Sequence, residues 1–239
     1  MSQQQEVIRL EAVHKFLGLD YDQATEFQDI VNLAAELCGM PVALITLLDK
    51  DVNWIKVRTG IDAPAMPRET SFCQYTIQSD GLTIIPDTLE DRRFDNNPLV
   101  QEPPHVRFYA GAPLTIKGGI RLGSLCLFDA KPNNISAIQQ KTLSVMARQV
   151  TFLMQLELSQ KVLQDNLKAL EEKNESLRNI AHMQSHDIRQ PLTSIMGLID
   201  IIKNDGYKAD REKLIMIEEA AKDLDSKVHD IVQQTTIDY

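Results

Sequence analysis

Leucine recurs at every seventh position in the C-terminal half of the chain, at residues 156, 163, 170 and 177. Two seams sustained over about four heptads, with polar residues between them, predict a coiled coil. The alternative, a long surface helix packed on its own domain, would need a wider apolar stripe. Since a core asparagine favours two chains in register, Asn174 indicates a parallel homodimer. The second seam carries Leu153, Gln160, Leu167, Asn174 and Ala181.

Glycine and proline divide the chain into two parts. From residue 136 onward the only glycines are Gly197 and Gly206, and the only proline is Pro191, so this part is predicted to be helical. The loop NDGYKAD at 204–210 ends one helix, and 211–235 resumes helical periodicity. Two helices joined by a short loop form a hairpin, and two hairpins in a dimer form a four-helix bundle. The side chains expected to face the bundle core are Leu192, Ile195, Ile199 and Ile202.

About the first 140 residues mix helix and strand signals. An amphipathic helix over 24–39 is closed by Gly39, and KGG at 117–119 is a hairpin turn signal. Strands that are followed by a returning helix predict an α+β domain, with helices packed on an antiparallel sheet. The strand candidates are 41–49, 53–60, 80–87, 108–116 and 121–129.

Composition excludes several function classes. A net charge of −9 and an isoelectric point near 5.1 disfavour general binding to nucleic acid or to an anionic membrane. The apolar run at 42–48 is far shorter than the ~20 residues that span a bilayer, and the N-terminus lacks the apolar core of a signal peptide. The three cysteines lie far apart with no CxxC pair. That spacing predicts a reducing, cytoplasmic setting, with neither a disulfide framework nor a metal site.

A histidine stands beside an aspartate in the stretch SHDIRQPL. Residues four apart share a face of a helix, so His186 and Gln190 are expected to point outward together, with Arg189 nearby. The imidazole is a competent nucleophile, and the carboxylate of Asp187 can hold its second N–H. Pro191 cannot donate to the carbonyl of Asp187, which predicts a bend one turn beyond the histidine.

This stretch resembles the H-box of sensor histidine kinases, whose pattern is His, acidic, any, Arg, any, Pro, Leu. The similarity covers about residues 175–236 and implies the dimerisation and phosphoacceptor hairpin of the HisKA type. It implies that His186 takes a phosphoryl group from ATP and passes it to a response-regulator aspartate. It also implies Asp187 as the general base or orienter. Gln190 becomes the candidate phosphatase residue, where the family usually has Thr or Asn.

Histidine kinases of this type bind ATP and Mg in a following α/β domain with a DxGxG loop and an asparagine-containing helix motif. Neither motif occurs before Tyr239, and no GxxxxGK[ST] loop replaces them. The chain is therefore expected to hold no cofactor of its own. Phosphorylation would depend on the ATP-binding domain of a parent kinase.

Segments of the first domain resemble a GAF sensory domain over about residues 8–155. They include PVALITLLDKDVNWIKVRTG, IIPDTLEDRRFDNNPLV, VRFYAGAPL and GSLCLFD. The resemblance implies a small ligand between the sheet and its covering loops, of a kind that the sequence does not identify. Cys73 lacks the surrounding signature of a bilin-binding cysteine, so a buried structural thiol is the commoner reading. The residues predicted to line a ligand pocket, with core packing as the alternative, are Trp54, Phe72, Cys73, Arg92 and Tyr109.

These inferences predict a GAF domain at 1–150, a coiled-coil signalling helix at 151–180 and a helical hairpin at 181–239. The predicted function is the sensor portion of a two-component histidine kinase, in which the coiled coil relays GAF input to His186. The expected partners are a second copy of the chain, a response-regulator receiver domain and the ATP-binding domain of the parent kinase. The alternative is a non-catalytic dimeric GAF signalling adaptor.

Overall fold

The structure, a computed structural model, describes residues 2–21 and 25–237. The chain divides into two units, at residues 1–162 and 163–239. The helices are α1 (Gln3–Leu17), α2 (Thr25–Cys38), α3 (Cys73–Thr76), α4 (Pro98–Gln101), α5 (Ala137–Asn204) and α6 (Arg211–Ile237). The strands are β1 (Val42–Leu48), β2 (Val52–Thr59), β3 (Ala65–Pro67), β4 (Thr83–Ile85), β5 (Phe108–Ile116) and β6 (Ile120–Asp129).

The first unit is built on a six-stranded sheet with the order β3-β2-β1-β6-β5-β4, in which every neighbouring pair is antiparallel. Gly118 and Gly119 connect β5 to β6 with positive φ angles of 88° and 75°, a backbone conformation that glycine adopts at little cost. The predicted α+β class and antiparallel sheet are confirmed. The helix α1, the short helices α3 and α4, and the strand β3 were not predicted from the sequence.

Both faces of the sheet are covered, because successive side chains of a strand point to opposite faces. Along β1, Ala43, Ile45 and Leu47 enter one core, which we call the helix-side core because α1, α2 and α5 pack there against the strands. Leu44 and Leu48 enter the other, the loop-side core, together with side chains of α3, α4 and the neighbouring loops. Burial on both faces explains why β1 is a continuous apolar run rather than an alternating one.

A buried arginine of α1 forms a hydrogen bond with the sheet. Arg9 is only 1% exposed, and its Nη1 donates to the carbonyl oxygen of Leu48 at 2.6 Å. Its Nε and Nη2 donate to the two carboxylate oxygens of Glu6, each at 2.8 Å. Nη1 of Arg68 donates to Oε1 of the same carboxylate at 2.6 Å. Glu6 therefore lies between two guanidinium groups and neutralises one that is buried.

We expect this cluster to make stability depend on pH. Burial raises the pKa of Glu6, but the hydrogen bonds from Arg9 and Arg68 outweigh it and lower the pKa from 4.5 to about 2. A lowered pKa stabilises the fold fully above pH 4.5, and that contribution is lost as the pH falls toward 2. Glu6→Gln should therefore unfold at lower urea than the wild type at pH 7, and the difference should shrink below pH 4.5.

Fluorescence of Trp54, the single tryptophan, reports the unfolding of this unit. Glu11→Gln, an exposed glutamate on the same helix, is the matched control and should change little at either pH. A difference between wild type and Glu6→Gln that stays constant from pH 7 to pH 2.5 would contradict the assignment.

The second unit contains the C-terminal part of α5 and the helix α6. They are joined by a loop in which Gly206 and Tyr207 have φ angles of 68° and 63°, within the predicted loop at 204–210. The half-buried or buried apolar residues of α5 in this unit follow a 3–4 spacing, as do the half-buried positions of α6. Such matching stripes are typical of an antiparallel helix pair. The positions are 188, 191, 195, 198 and 202 on α5, and 213, 217, 220, 224, 227 and 231 on α6.

Two of the side chains expected in the bundle core lie outside these stripes. Leu192 is 43% exposed and Ile199 is 42% exposed, whereas Ile195 and Ile202 are half-buried as expected. A single chain therefore leaves a second apolar stripe of α5 open to solvent. None of the helices in the described part of the chain combines the length and the apolarity that a membrane crossing requires.

Candidate functional site

His186 lies on α5 with its imidazole 75% exposed. The carboxylate of Asp187 is 57% exposed, and its Oδ1 is 3.8 Å from Nδ1 of the histidine. This distance exceeds that of a hydrogen bond, so the two groups are neighbours without a direct hydrogen bond in this conformation. The side chains of Arg189 and Gln190 are also exposed. The site is thus an open nucleophile with an acidic, a basic and a carboxamide group within one helical turn.

Pro191 follows within α5 and is buried, unlike its polar neighbours. Two hydroxyl groups just beyond it bond back along the helix. Thr193 Oγ1 donates to the carbonyl oxygen of Arg189 at 2.8 Å, and Ser194 Oγ donates to that of Gln190 at 3.2 Å. Side-chain bonds of this type are associated with helix bending. These two bonds agree with the bend expected near Pro191. The bend itself stays a prediction.

Three of the residues predicted to line a GAF ligand pocket lie in the loop-side core. Phe72, Cys73 and Tyr109 are fully buried. The ring of Phe72 stacks on that of Phe94, with a centroid distance of 4.6 Å, and on that of Tyr109 at 5.3 Å. The hydroxyl of Tyr109 is 2.6 Å from that of Thr76, which satisfies both groups inside the core.

The other two predicted ligand-binding residues lie nearer the surface. Trp54 on β2 is 38% exposed, and Arg92 is exposed at a shallow depression beside Asp87 and Asp91. Among the described residues, Trp54 forms no ring pair and Arg92 no cation–π contact with the aromatic cluster of the loop-side core. The structure does not bring the five predicted residues together, and ligand binding by them stays a prediction.

An apolar cavity of about 550 Å³ opens beside the loop-side core, whose members Leu44, Val106 and Phe128 contribute to its lining. The carboxylates at its edge already have partners, since Asp62 pairs with Arg58 at 3.1 Å and Asp129 accepts from the Lys131 amide and from Asn133. No pattern in the sequence indicates this cavity, because its lining comes from segments far apart in the chain. The lining residues are Pro41, Val42, Leu44, Ile61, Asp62, Ala63, Met66, Leu99, Pro104, Val106, Phe128, Asp129 and Ala130.

Known proteins resemble both units. The model of the GAF domain family matches residues 22–153, and that of the His Kinase A (phospho-acceptor) domain, HisKA, matches residues 173–239. A cyclic di-GMP phosphodiesterase of Pseudomonas aeruginosa is 39% identical over 139 residues. That match takes in 55% of this chain but only 24% of the relative.

Two solved structures are among the matches, both at low sequence identity. The PixJ GAF domain of Thermosynechococcus elongatus, in its blue-light absorbing form, has a TM-score of 0.48 and 15% identity. The match covers 72% of this chain and 98% of the PixJ domain. The bacteriophytochrome RpBphP3 of R. palustris has a TM-score of 0.49 and 13% identity, covering 73% and 42% of the two chains.

The family matches coincide with the structural units. The GAF match begins before α2 and ends within α5, so it contains the whole six-stranded sheet. The HisKA match contains His186, the loop after α5 and the helix α6. This chain therefore belongs to the GAF family and carries, after its GAF domain, the phosphoacceptor domain of two-component sensor histidine kinases.

Proposed function

We propose that this chain senses a signal through its GAF domain and transmits it along α5 to His186, which passes a phosphoryl group to a response-regulator aspartate. The observation that carries the proposal is the position of His186 within the HisKA match, exposed on α5 beside an aspartate. A nucleophile that must meet two protein partners in turn has to be accessible, and 75% exposure meets that requirement.

Each neighbour of the histidine has a defined part in this proposal. The ring nitrogen of His186 attacks the γ-phosphorus of ATP, and the bond from that phosphorus to the ADP oxygen breaks. Asp187 orients the ring or receives its proton, which favours the nucleophilic form. In this proposal the carboxamide of Gln190 orients the water that later dephosphorylates the regulator. Arg189 offers a positive charge to the phosphoryl oxygens. Pro191 removes one backbone hydrogen bond of the helix and so makes α5 easier to bend beside the histidine.

The experiment combines the chain with Mg and labelled ATP, with and without the separately purified ATP-binding domain of a GAF–HisKA kinase. We expect label on His186 when the ATP-binding domain is present and none when it is absent. Transfer of the label to a receiver domain would complete the relay. If His186 is never phosphorylated in cells that contain the protein, the result supports the alternative function. In that alternative the chain is a dimeric GAF adaptor without a phosphoacceptor.

We further propose that the protein acts in the cytoplasm as a parallel homodimer. The leucines of the predicted coiled coil are unusually exposed for apolar side chains, with Leu163 at 60%, Leu170 at 62% and Leu177 at 66%. Exposed leucines at heptad spacing are covered when a second helix packs along them. The open stripe with Leu192 and Ile199 offers a second contact of the same kind.

Replacing both Leu170 and Leu177 by lysine should shift the protein from dimer to monomer. Two buried leucines contribute about 2 kcal/mol each to such a seam, and charges placed opposite each other add repulsion. Light scattering coupled to gel filtration measures the molar mass. The matched control is Lys168→Gln with Lys173→Gln, which changes two exposed positions of the same helix outside the seam and should leave the dimer intact. A wild-type chain that is monomeric at micromolar concentration would overturn this part of the proposal.

A further inference from the structure

The thiols of Cys73 and Cys126 meet in the loop-side core of the GAF domain. Their sulfur atoms are 3.8 Å apart, although 53 positions separate the two residues in the sequence. Both are free thiols and both are fully buried. The third cysteine, Cys38, is also buried, but it belongs to the helix-side core on the opposite face of the sheet. Only the first two can therefore react with each other without rearrangement of the sheet.

Polar side chains surround this pair in a core that is otherwise apolar. Thr46 Oγ1 donates to Cys73 Sγ at 3.3 Å, and Asn53 Nδ2 donates to the same sulfur at 3.5 Å. Both polar residues are completely buried, and the carbonyl oxygen of the Asn53 side chain has no hydrogen-bond partner within the described structure. Burying polar groups is costly. Asn53 Nδ2 also donates to Ser71 Oγ at 2.9 Å, and Thr46 Oγ1 is 3.3 Å from Ser124 Oγ, so the Cys73 sulfur belongs to a buried polar network.

The two thiols are chemically unequal. The hydrogen bond from Cys126 lowers the pKa of Cys73, and although burial opposes this, the hydroxyl of Thr46 adds to the lowering. Burial raises the pKa of Cys126, and the hydrogen bond to Cys73 raises it further. A more acidic thiol beside a less acidic one is the arrangement of an attacking and a resolving cysteine.

We propose that Cys73 and Cys126 form a reversible disulfide when the protein meets hydrogen peroxide, which gives the GAF domain a response to oxidant. The Cys73 sulfur attacks one peroxide oxygen, the O–O bond breaks and a first water leaves, so Cys73 becomes a sulfenic acid. The Cys126 sulfur then attacks the Cys73 sulfur, the S–O bond breaks and a second water leaves. In total two thiols lose two protons and two electrons, and one peroxide is reduced to two waters.

Complete burial defines which oxidant fits. A peroxide molecule is close to water in size and can enter through small fluctuations of the core, whereas glutathione disulfide cannot reach a sulfur that is 0% exposed. The sulfur atoms must approach by about 1.8 Å to form a bond of about 2.05 Å. Cys73 begins α3 and Cys126 lies on β6, which leads through residues 130–136 into α5. Oxidation would therefore tether α3 to the strand that precedes the signalling helix. The disulfide does not depend on the proposed role of His186.

The test uses the whole chain, exposed to hydrogen peroxide in its folded state. Remaining thiols are then alkylated in denaturant and counted by intact-protein mass spectrometry. We expect three alkylated cysteines before oxidation and one afterwards, with three restored by dithiothreitol. Peptide mapping of the oxidised wild type should show one crosslinked species that joins the peptides of Cys73 and Cys126. Glutathione disulfide at the same concentration should leave all three thiols reactive.

Single-cysteine variants separate the pair from the third thiol. Cys38→Ala should still lose two reactive thiols, whereas Cys73→Ala and Cys126→Ala should each form no intramolecular disulfide. Should either of the latter variants fail to fold, the peptide map of the wild type decides alone. The proposal is overturned if the wild type keeps three thiols at peroxide concentrations that oxidise other buried dithiols. It is equally overturned if the crosslink involves Cys38, or if Cys73 proceeds to sulfinic acid without a disulfide.

Discussion

Replacing His186 by alanine should remove all label that the chain receives from ATP, a loss of at least about 10³-fold. Alanine carries no nucleophile, and the transfer that we propose forms a bond to the imidazole itself. The measurement is the radioactivity of the chain after incubation with labelled ATP, Mg and a histidine-kinase ATP-binding domain. Acid-labile and alkali-stable label would show that the phosphoryl group sits on nitrogen.

His182→Gln is the matched control for this experiment. His182 lies one turn before His186 on the same helix and is also exposed, but it has no acidic residue directly after it in the sequence. It should retain wild-type labelling. Asp187→Asn should lower the rate by about 10²-fold without moving the label, since it removes the charge that assists the ring. Label that survives in His186→Ala, or that disappears in His182→Gln, would show that another residue is the acceptor.

Gly123→Ala should destabilise the GAF domain by at least about 3 kcal/mol. Gly123 lies on β6, opposite Leu47 of β1 and Leu114 of β5. A Cβ at this position would lie inside the van der Waals surface of the Thr46 carbonyl oxygen, 2.7 Å from its carbonyl carbon and 2.8 Å from the Cα of Leu47. These are backbone atoms of a central strand, so they cannot move aside as a flexible side chain would.

Gly81→Ala is the control for added bulk, because nothing lies within 4 Å of the Cβ that it would introduce. It should change the free energy of unfolding by less than about 0.5 kcal/mol. Urea unfolding followed by the fluorescence of Trp54 measures both variants. If Gly123→Ala unfolds at the same urea concentration as Gly81→Ala, then β1 and β6 are not packed as closely as described.

Regular elements with strong local signals could be predicted from the sequence. The strand expected at 108–116 is β5 with those bounds, and the helix expected at 24–39 is observed as Thr25–Cys38. Gly39 follows that helix with a φ of 67°, as a helix-terminating glycine should. Apart from the 15-residue helix α1, the elements that were missed are short. A three-residue strand such as β3 has too few positions for a period to appear.

The candidate phosphoacceptor could also be found from the sequence, because the chemistry is carried by consecutive residues of one helix. Its exposure follows from helical geometry alone. The predicted ligand pocket could not be assigned in the same way. Phe72 and Tyr109 are aromatic, which is compatible with a pocket, but whether an aromatic ring fills a core or faces a ligand depends on the elements that surround it. In this fold they stack on each other inside the loop-side core.

The sequence by itself determined the features that repeat or that lie next to each other along the chain. These are the heptad seam and the histidine with its acidic neighbour. Tertiary structure alone decided which distant groups meet. The cysteines predicted to be isolated include a pair at 3.8 Å, and Arg9 of α1 is buried against the carbonyl of Leu48. Local patterns report the geometry of one element, whereas such contacts arise only when separate elements pack together and exclude water.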